Sequence, residues 1–319
     1  MKKLDSRALL SKGGDSTLLI VLIVFSVVLF TILKPAFFSM NSFSSIAKQA
    51  PEIGLFTMAM MLPMLVGGID LSLIASANLG SIFMALYMAS KGNTGSSVAV
   101  GMLICILTCV LVGFINGYVV AQFKIPAMLV TLGTQMALTG IALGITRGET
   151  LSGFPEAFKF IGNGKVAGIP TQFLIFVVAT AALIILMQKT SFGTKLQMYG
   201  SNSVATQYSG VAEKPLLIKT YMLGGLFVGL AAIIMVSRLS SASAGAAGGY
   251  LMRTILIAVL GGVDPNGGKG KVSEVLLAIL LFQIIATGLN VLRVNSYVVI
   301  ALYGIILLLA VFIRIRRNK

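Results

Sequence analysis

The chain has 319 residues, of which 57% are hydrophobic and only 10% are charged, and its formal net charge is +15. A soluble domain needs about a quarter of its residues charged, so this composition excludes an ordinary soluble globular protein. Histidine is absent, which removes the commonest general base and metal ligand at neutral pH. The basic residues lie at the ends of apolar runs rather than in a stripe, which favours a membrane protein over a nucleic-acid-binding one.

Apolar runs recur along the whole chain, each near the ~20 residues that cross a bilayer. They predict an all-α integral membrane protein with about ten transmembrane helices, or about eight if some runs do not cross. The predicted spans are 18–33, 46–66, 70–90, 98–121, 126–146, 171–187, 216–237, 246–262, 273–291 and 297–313. The runs 70–90 and 246–262 are polar or glycine-rich, so either is expected to be broken or re-entrant.

Residues 18–313 are predicted to form one transmembrane domain between a tail at 1–17 and a basic tail at 314–319. Both tails are basic, and the loops on their side of the membrane carry more Lys and Arg than those on the other side. By the positive-inside rule, we expect both termini in the cytoplasm of a multi-pass protein of the cell membrane.

Two connections between spans are long. Residues 147–170 are rich in Gly and Pro and are predicted to form an irregular external loop. Residues 188–215 are predicted to be cytoplasmic and to contain a short helix from Asn202 to Tyr208, ended by Gly210. An ordered helix in a cytoplasmic loop is a natural docking element for a partner.

One carboxyl group, that of Asp70, follows a glycine pair in the stretch 63–72. A carboxylate in hydrocarbon costs roughly 2.5–3.5 kcal/mol on insertion scales, so its presence needs a reason. Pro63 and the pair Gly67-Gly68 predict that the helix breaks there. We expect Asp70 to cap a helix or act at a hinge, with Gly67-Gly68 as the moving part; direct contact with a solute is the alternative.

Polar residues within the predicted spans are the candidates to line a translocation pathway. Neutral hydrogen-bonding groups suit a neutral hydroxylated solute, whereas the alternative is helix–helix hydrogen bonding at about 0.6 kcal/mol per bond. Together with the glycine pair, the translocation and hinge candidates are Gly67, Gly68, Asp70, Ser72, Asn78, Asn116, Gln135, Gln283 and Asn290.

Small residues recur four positions apart, a spacing that lets helices approach closely in a membrane. Packing within the subunit is the expected role, and lining of the pathway is the alternative. The pairs are Gly113 and Gly117, Gly140 and Gly144, Gly225 and Gly229, and Gly245 and Gly249. Cys105 and Cys109, also four apart, are expected to be small packing residues without redox or metal chemistry.

The glycine-rich stretch 259–270 does not match a nucleotide-binding loop. Val263 stands where that pattern needs its first glycine, and Gly270 where it needs Ser or Thr. We therefore expect no catalytic residue, metal or cofactor on this chain, and any ATP would be hydrolysed by another chain. The hexapeptides 65–70 and 259–264 are alike, either as an internal repeat or through chance pairing of glycines.

The motif Gly67-Gly68-Ile69-Asp70-Leu71-Ser72, followed by Ala258-Val259-Leu260-Gly261-Gly262 and Gly267-Gly268-Lys269-Gly270, resembles the permeases of bacterial ABC importers for ribose and related monosaccharides. The stretches 129–134 and 152–158 are similar to those of autoinducer-2 permeases in the same group. The resemblance extends over about 18–313. It implies a subunit in membrane lipid that pairs with an identical or sister permease and binds cytoplasmic ATPase subunits, which carry ATP and Mg. It also implies a periplasmic or lipid-anchored solute-binding protein.

The same resemblance implies that the segment 200–210 couples to the ATPase through Asn202, Ser203, Ala205 and Gly210. Ser203 stands where the family pattern has an acid, so we expect no salt bridge from this position. The predicted function is thus the permease subunit of an ABC importer for a monosaccharide or autoinducer-2.

Two alternative transport functions are distinguished by charge. A permease for branched-chain amino acids would need charges of both signs near mid-membrane, where the sequence offers only Asp70 and Arg253. An ion-coupled secondary transporter would usually relay charge through several intramembrane acids or histidines. A membrane enzyme is the least favoured alternative because the sequence has no nucleophile–base or metal-ligand cluster.

Overall fold

The computed structural model describes residues 15–295, 297–305 and 308, and these are helical almost throughout. The helices are α1 (Asp15–Leu33), α2 (Met40–Leu65), α3 (Leu73–Ser90), α4 (Gly95–Phe123), α5 (Ala127–Thr146), α6 (Glu156–Asn163), α7 (Thr171–Lys189), α8 (Ser191–Ser201), α9 (Ser203–Tyr208), α10 (Glu213–Leu239), α11 (Tyr250–Leu260) and α12 (Val272–Val291). A 3-10 turn at Pro35–Phe37 follows α1, and the antiparallel pair β1 (Lys165–Val166) and β2 (Ile169–Pro170) precedes α7. Residues 297–305 are also helical.

Among the described residues, seven helices are long and apolar enough to cross a membrane: α1, α3, α4, α5, α7, α10 and α12. This confirms an all-α membrane protein, with fewer such helices than the predicted ten. α2 is not among the seven because its first half is rich in polar residues, Lys48 and Glu52 among them, and lowers its hydropathy; α11 is not because it has only 11 residues. The last predicted span and both predicted tails lie wholly or partly outside the described residues.

The most deeply buried helix is α2, whose residues 50–65 are all buried. It packs against α7, α10, α11 and α12. Four of its methionines are fully buried at 0% exposure, and their unbranched thioether side chains fill irregular gaps between helices. In contrast, only 17% of α1 and of α5 is buried, which leaves broad apolar faces suited to lipid or another subunit.

The closest helix pair is α4 with α10, and glycines make its approach possible. A Cβ on Gly113 would lie 2.3 Å from the Tyr221 carbonyl oxygen, and one on Gly225 would lie 2.3 Å from the Cys109 carbonyl oxygen. The residues four positions on, Gly117 and Gly229, meet the partner backbone similarly. Packing within the subunit is therefore confirmed for two of the four predicted small-residue pairs.

Both long connections contain more structure than predicted. The loop 147–170 was expected to be irregular, but it holds α6 and the β1–β2 pair, because α6 buries Phe158 against the bundle. The Ser237 hydroxyl donates to the Phe158 carbonyl at 2.6 Å and accepts from the Gly162 amide at 2.7 Å. In 188–215 the predicted helix is confirmed as α9, whereas α8 was not predicted.

Candidate functional site

The predicted break lies directly after α2. Gly67 has φ +78°, a left-handed conformation that favours glycine, and the Gly68 amide donates to the Pro63 carbonyl at 2.9 Å. A Cβ on Gly68 would lie 2.5 Å from the Tyr221 hydroxyl oxygen and 3.0 Å from the Ala127 Cβ, so a larger residue would have to displace these side chains. The backbone conformation therefore favours glycine at position 67, and close packing favours it at position 68.

Three of the predicted polar residues, Asp70, Ser72 and Asn116, meet in one buried chain of hydrogen bonds. Asp70 Oδ1 accepts from the Ser72 amide at 2.9 Å and from the Ser72 hydroxyl at 2.6 Å. Asn116 Nδ2 donates to Ser72 Oγ at 2.8 Å, and Asn116 Oδ1 accepts from the Thr134 hydroxyl at 2.7 Å. We call Asp70, Ser72, Asn116 and Thr134 the polar chain; it connects the start of α3 to α4 and α5.

Asp70 forms an Asx-type turn rather than a helix cap: its carboxylate accepts from the amide of Ser72, the N-cap residue of α3, and no described side chain caps the first turn of α3. One turn before Thr134, the Thr131 side chain lies against the same break, accepting from the Leu71 amide at 3.1 Å and lying 3.0 Å from the Ile69 carbonyl. Sequence reasoning missed both threonines. Their spacing of three on α5 was the available signal, because residues three apart share a helix face.

The remaining predicted polar residues lie elsewhere. Asn78 Nδ2 donates to two carbonyls of the α10–α11 connection, those of Ala244 and Ala246, both at 2.9 Å. Gln283 Nε2 bonds across helices to Gln49 Oε1 at 3.3 Å. Gln135 is half-buried on α5, and Asn290 is exposed near the end of α12. The nine candidates therefore do not form a single lining.

The α8–α9 end of the bundle presents a surface groove of about 400 Å³. The lining residues are Thr194, Gln197, Met198, Ser201, Asn202, Ala205, Thr206, Ser209 and Gly268. Asn202 Oδ1 caps α9 by accepting from the Ala205 amide at 2.9 Å, and Gly210 ends it with φ +78°. Ser203 is half-buried and makes no ion pair among the described residues.

The outer face of α9 is open. Val204 and Tyr208, four positions apart on one side of the helix, are 61% and 91% exposed. The end of α8, which precedes α9, is held to the start of α10, because the Tyr199 hydroxyl donates to Glu213 Oε1 at 2.5 Å. Burial, together with this bond, raises the pKa of the Tyr199 hydroxyl, so the hydroxyl remains a donor throughout the physiological range. A helix such as α9, which has an exposed apolar face and follows an anchored helix, suits docking of a partner.

Backbone contacts join α8 to the break after α2. Gly200 lies against Leu65 and Gly268, where a Cβ would be 1.9 Å from the Leu65 carbonyl oxygen and 2.3 Å from the Gly268 amide nitrogen. The Gly268 amide donates to that same Leu65 carbonyl at 2.9 Å. α8, the loop after α11 and the end of α2 therefore form one contact, which we call the glycine junction.

The two similar hexapeptides both follow a helix and meet at this junction, but they share only part of their conformation. The left-handed glycine is the first of the pair after α2, Gly67 with φ +78°, and the second of the pair after α11, Gly262 with φ +79°. The aspartates behave alike: Asp70 accepts from the amide two residues on at 2.9 Å, and Asp264 does the same with the Asn266 amide at 3.0 Å. The likeness seen in sequence thus corresponds to a shared turn at the aspartate, whereas the helix ends are offset by one residue.

An ion pair within the bundle was missed from the sequence. Arg238 Nε lies 2.6 Å from Glu52 Oε2, and the Glu52 side chain is only 1% exposed. Asp70 and Arg253 were the only charges considered within the predicted spans, and this pair, whose arginine lies in the last turn of α10, was not foreseen. An acid within an apolar run, directly after Pro51, was the available signal.

Comparison with known proteins identifies the family. Residues 42–311 match the family described as the permease component of branched-chain amino acid transport systems. The chain belongs to this permease family. It is therefore a multi-pass protein of the cell membrane, and the resemblance seen in the glycine motifs is confirmed.

The curated relatives include sugar and signal permeases. The chain is 32% identical to the ribose import permease protein RbsC of Escherichia coli K12, over 92% of each chain. It is 31% identical to RbsC of Bacillus subtilis 168, over 90% of this chain and 88% of the relative. It is 30% identical to the autoinducer 2 import system permease protein LsrD of Yersinia enterocolitica, over 81% and 79% respectively. No solved structure matches the chain.

Proposed function

We propose that this chain forms the translocation pathway of an ABC importer for a monosaccharide such as ribose, or for autoinducer-2, and that a separate ATPase subunit supplies the energy. The observation that carries the proposal is the glycine junction, where the backbone of α8 at Gly200 lies directly against the backbone of the helix break at Leu65. Closely packed backbones transmit displacement, so a movement of α8 is expected to displace the end of α2. The ribose and autoinducer-2 permeases among the relatives support the class of solute.

In the proposed mechanism, the ATPase docks on the exposed face of α9 and on the groove beside α8. Closure of the ATPase pushes α8 against Leu65 and bends the chain at Gly67-Gly68. The polar chain then moves α5, because Asp70 and Ser72 at the break are hydrogen-bonded through Asn116 to Thr134. α5 is one of the least covered spans, so it is free to move.

The proposal includes three partners outside this chain. Two cytoplasmic ATPase subunits hold ATP and Mg, a second permease of identical or sister sequence completes the pathway, and a periplasmic or lipid-anchored protein delivers the solute. It also places both termini in the cytoplasm, on the side of α8 and α9. The basic residues near both ends support this orientation.

A permease for branched-chain amino acids is the second candidate. The description of the matched family favours it, and so does the pair Glu52–Arg238, which brings charges of both signs into the bundle. The two charges bind one another, however, and a zwitterionic solute would have to break that pair to use them. We therefore rank a neutral hydroxylated solute first.

The test is stimulation of ATP hydrolysis in the reconstituted complex by a panel of solute-loaded binding proteins. We expect the ribose-loaded or autoinducer-2-loaded protein to raise hydrolysis several-fold, and the leucine-loaded protein to leave it at the basal rate. Stimulation by the leucine-loaded protein alone would establish the second candidate instead.

A further inference from the structure

The connection between α10 and α11 enters the membrane region. Residues 241–249, which we call the re-entrant segment, contain only Ser, Ala and Gly. α11 has 11 residues and is therefore about 16 Å long, roughly half of the ~30 Å hydrocarbon layer. Its Leu260 end leads to the glycine junction, which the proposed function places at the cytoplasmic surface with α8. Its other end, at Tyr250, therefore lies near the middle of the membrane. The segment must descend to that depth to meet it.

Contacts with spanning helices fix the depth of the segment. Asn78, five residues into α3, donates from Nδ2 to the carbonyls of both Ala244 and Ala246 at 2.9 Å. Ala244 is buried among Leu79 of α3 and Leu138 of α5. The backbone at 244–246 thus lies between two spans rather than above them.

One side of the segment is nevertheless open. Gly245, Gly248 and Gly249 are exposed, and a Cβ on Gly245 would meet no atom within 4 Å. Non-helical backbone at membrane depth does not face lipid, because its amides and carbonyls would lose their hydrogen bonds to water. Either a water-filled space or the second permease therefore lies against the open side, and the unpaired polar atoms beneath it favour the water-filled space.

Two buried polar atoms on α3 lack hydrogen-bond partners among the described residues. Asn78 Oδ1 belongs to a side chain that is 3% exposed, and Ser81 Oγ to one that is 1% exposed. The residues are three apart, so they share the helix face that carries the segment. Buried polar groups are normally hydrogen-bonded, which leaves these two available to water or a solute.

We propose that the re-entrant segment, with Asn78 and Ser81 beneath it, lines the solute pathway at mid-membrane and supplies hydrogen bonds to a neutral hydroxylated solute. This rests on the proposed function and assigns it a position. A sugar hydroxyl both donates and accepts, so it satisfies the Asn78 oxygen, the Ser81 hydroxyl and exposed backbone groups without a charged partner. For the pair Gly245 and Gly249, the sequence left two roles open, packing within the subunit and lining of the pathway. This geometry favours lining of the pathway.

The first test is the accessibility of a cysteine at Gly245. In a Cys105→Ala/Cys109→Ala background we would introduce Gly245→Cys or, as a lipid-facing control, Val24→Cys, which lies midway along α1 and is 57% exposed. Vesicles of either orientation would receive a membrane-impermeant cationic methanethiosulfonate. We expect Gly245→Cys to be labelled at least about tenfold faster than Val24→Cys. Excess ribose should slow the labelling of Gly245→Cys. Equal, slow labelling of the two variants, the result expected if the second permease buries the segment, would overturn the proposal.

The second test removes one proposed contact without weakening the fold. Ser81→Ala deletes a hydroxyl that makes no hydrogen bond to the described protein, so its unfolding temperature should not fall. We expect the KM for ribose uptake to rise about tenfold, whereas it should stay unchanged in the control Ser76→Ala, whose hydroxyl bonds to the Leu73 carbonyl. An unchanged KM in Ser81→Ala would contradict the contact. Absence of ribose uptake in the parent protein would instead count against the proposed function, and the cysteine labelling would still be readable.

Discussion

Gly200 at the end of α8 lies against Leu65 at the end of α2, so closely that a Cβ on Gly200 would be 1.9 Å from the Leu65 carbonyl oxygen. This contact joins the exposed α8–α9 unit to the helix break that precedes Asp70. The proposed docking element and the helix break are thus adjacent in space although Leu65 and Gly200 are 135 positions apart in sequence.

Gly200→Ala should separate the two helices. Within a helix, Ala is favoured over Gly by about 1 kcal/mol, so a loss of function here would report the close approach rather than helix propensity. Overpacking of this kind costs about 1–3 kcal/mol, and we expect ATP-dependent uptake to fall at least about tenfold. The control is Gly144→Ala on α5, where a Cβ meets no atom within 4 Å. Normal uptake by Gly200→Ala would contradict the role of the glycine junction.

The polar chain should behave as one unit. Asn116→Ala leaves the buried Ser72 hydroxyl without its donor, and Thr134→Val removes the next bond, so each should lower the free energy of unfolding by about 1–3 kcal/mol. Because the two residues share a hydrogen bond, the double variant should lose less free energy of unfolding than the two single variants together. We expect the difference to be about 0.5–3 kcal/mol. Denaturant unfolding of the purified protein measures the cycle, and strict additivity would show that the chain is not coupled.

Gly210→Trp should abolish coupling without preventing membrane insertion. Gly210 has φ +78°, where a non-glycine residue costs roughly 1–2 kcal/mol, and a Cβ there meets no atom within 4 Å, so the indole would project from the end of α9 toward a docked partner. We expect normal amounts of protein in the membrane, basal ATP hydrolysis and little uptake. Asn202→Ala, which removes the α9 cap at a cost of about 1 kcal/mol, should have a milder effect in the same direction. Transport at the normal rate by Gly210→Trp would show that α9 does not dock the ATPase.

The Glu52–Arg238 pair should be structural and needed as a pair. Glu52→Ala leaves Arg238 uncompensated, and such a change costs roughly 3–5 kcal/mol for fully buried pairs; the 26% exposure of Arg238 places this one toward the lower end. The charge-reversed double variant Glu52→Arg/Arg238→Glu should recover part of the lost thermal stability. If Glu52→Ala unfolds at the normal temperature, the pair does not hold α2 to α10.

Local features of the chain were predictable, and distant pairings were not. The short helix that begins near Asn202, its stop at Gly210 and the break at Gly67-Gly68 follow from residue types that act on their own backbone, so sequence alone located them. The Glu52–Arg238 pair joins residues 186 positions apart, and nothing in the local pattern pairs them. α6 was missed because Gly and Pro around it suggested a loop, whereas burial of Phe158 against α10 stabilises a helix there.

The central claim is that transport through this chain is driven by ATP on a partner subunit. Its most direct test is uptake of labelled ribose, with autoinducer-2 in parallel, into proteoliposomes holding the chain with its ATPase and binding protein. We predict uptake only when ATP is supplied on the ATPase side and both partners are present. Uptake by the chain alone, without ATP, would contradict the account.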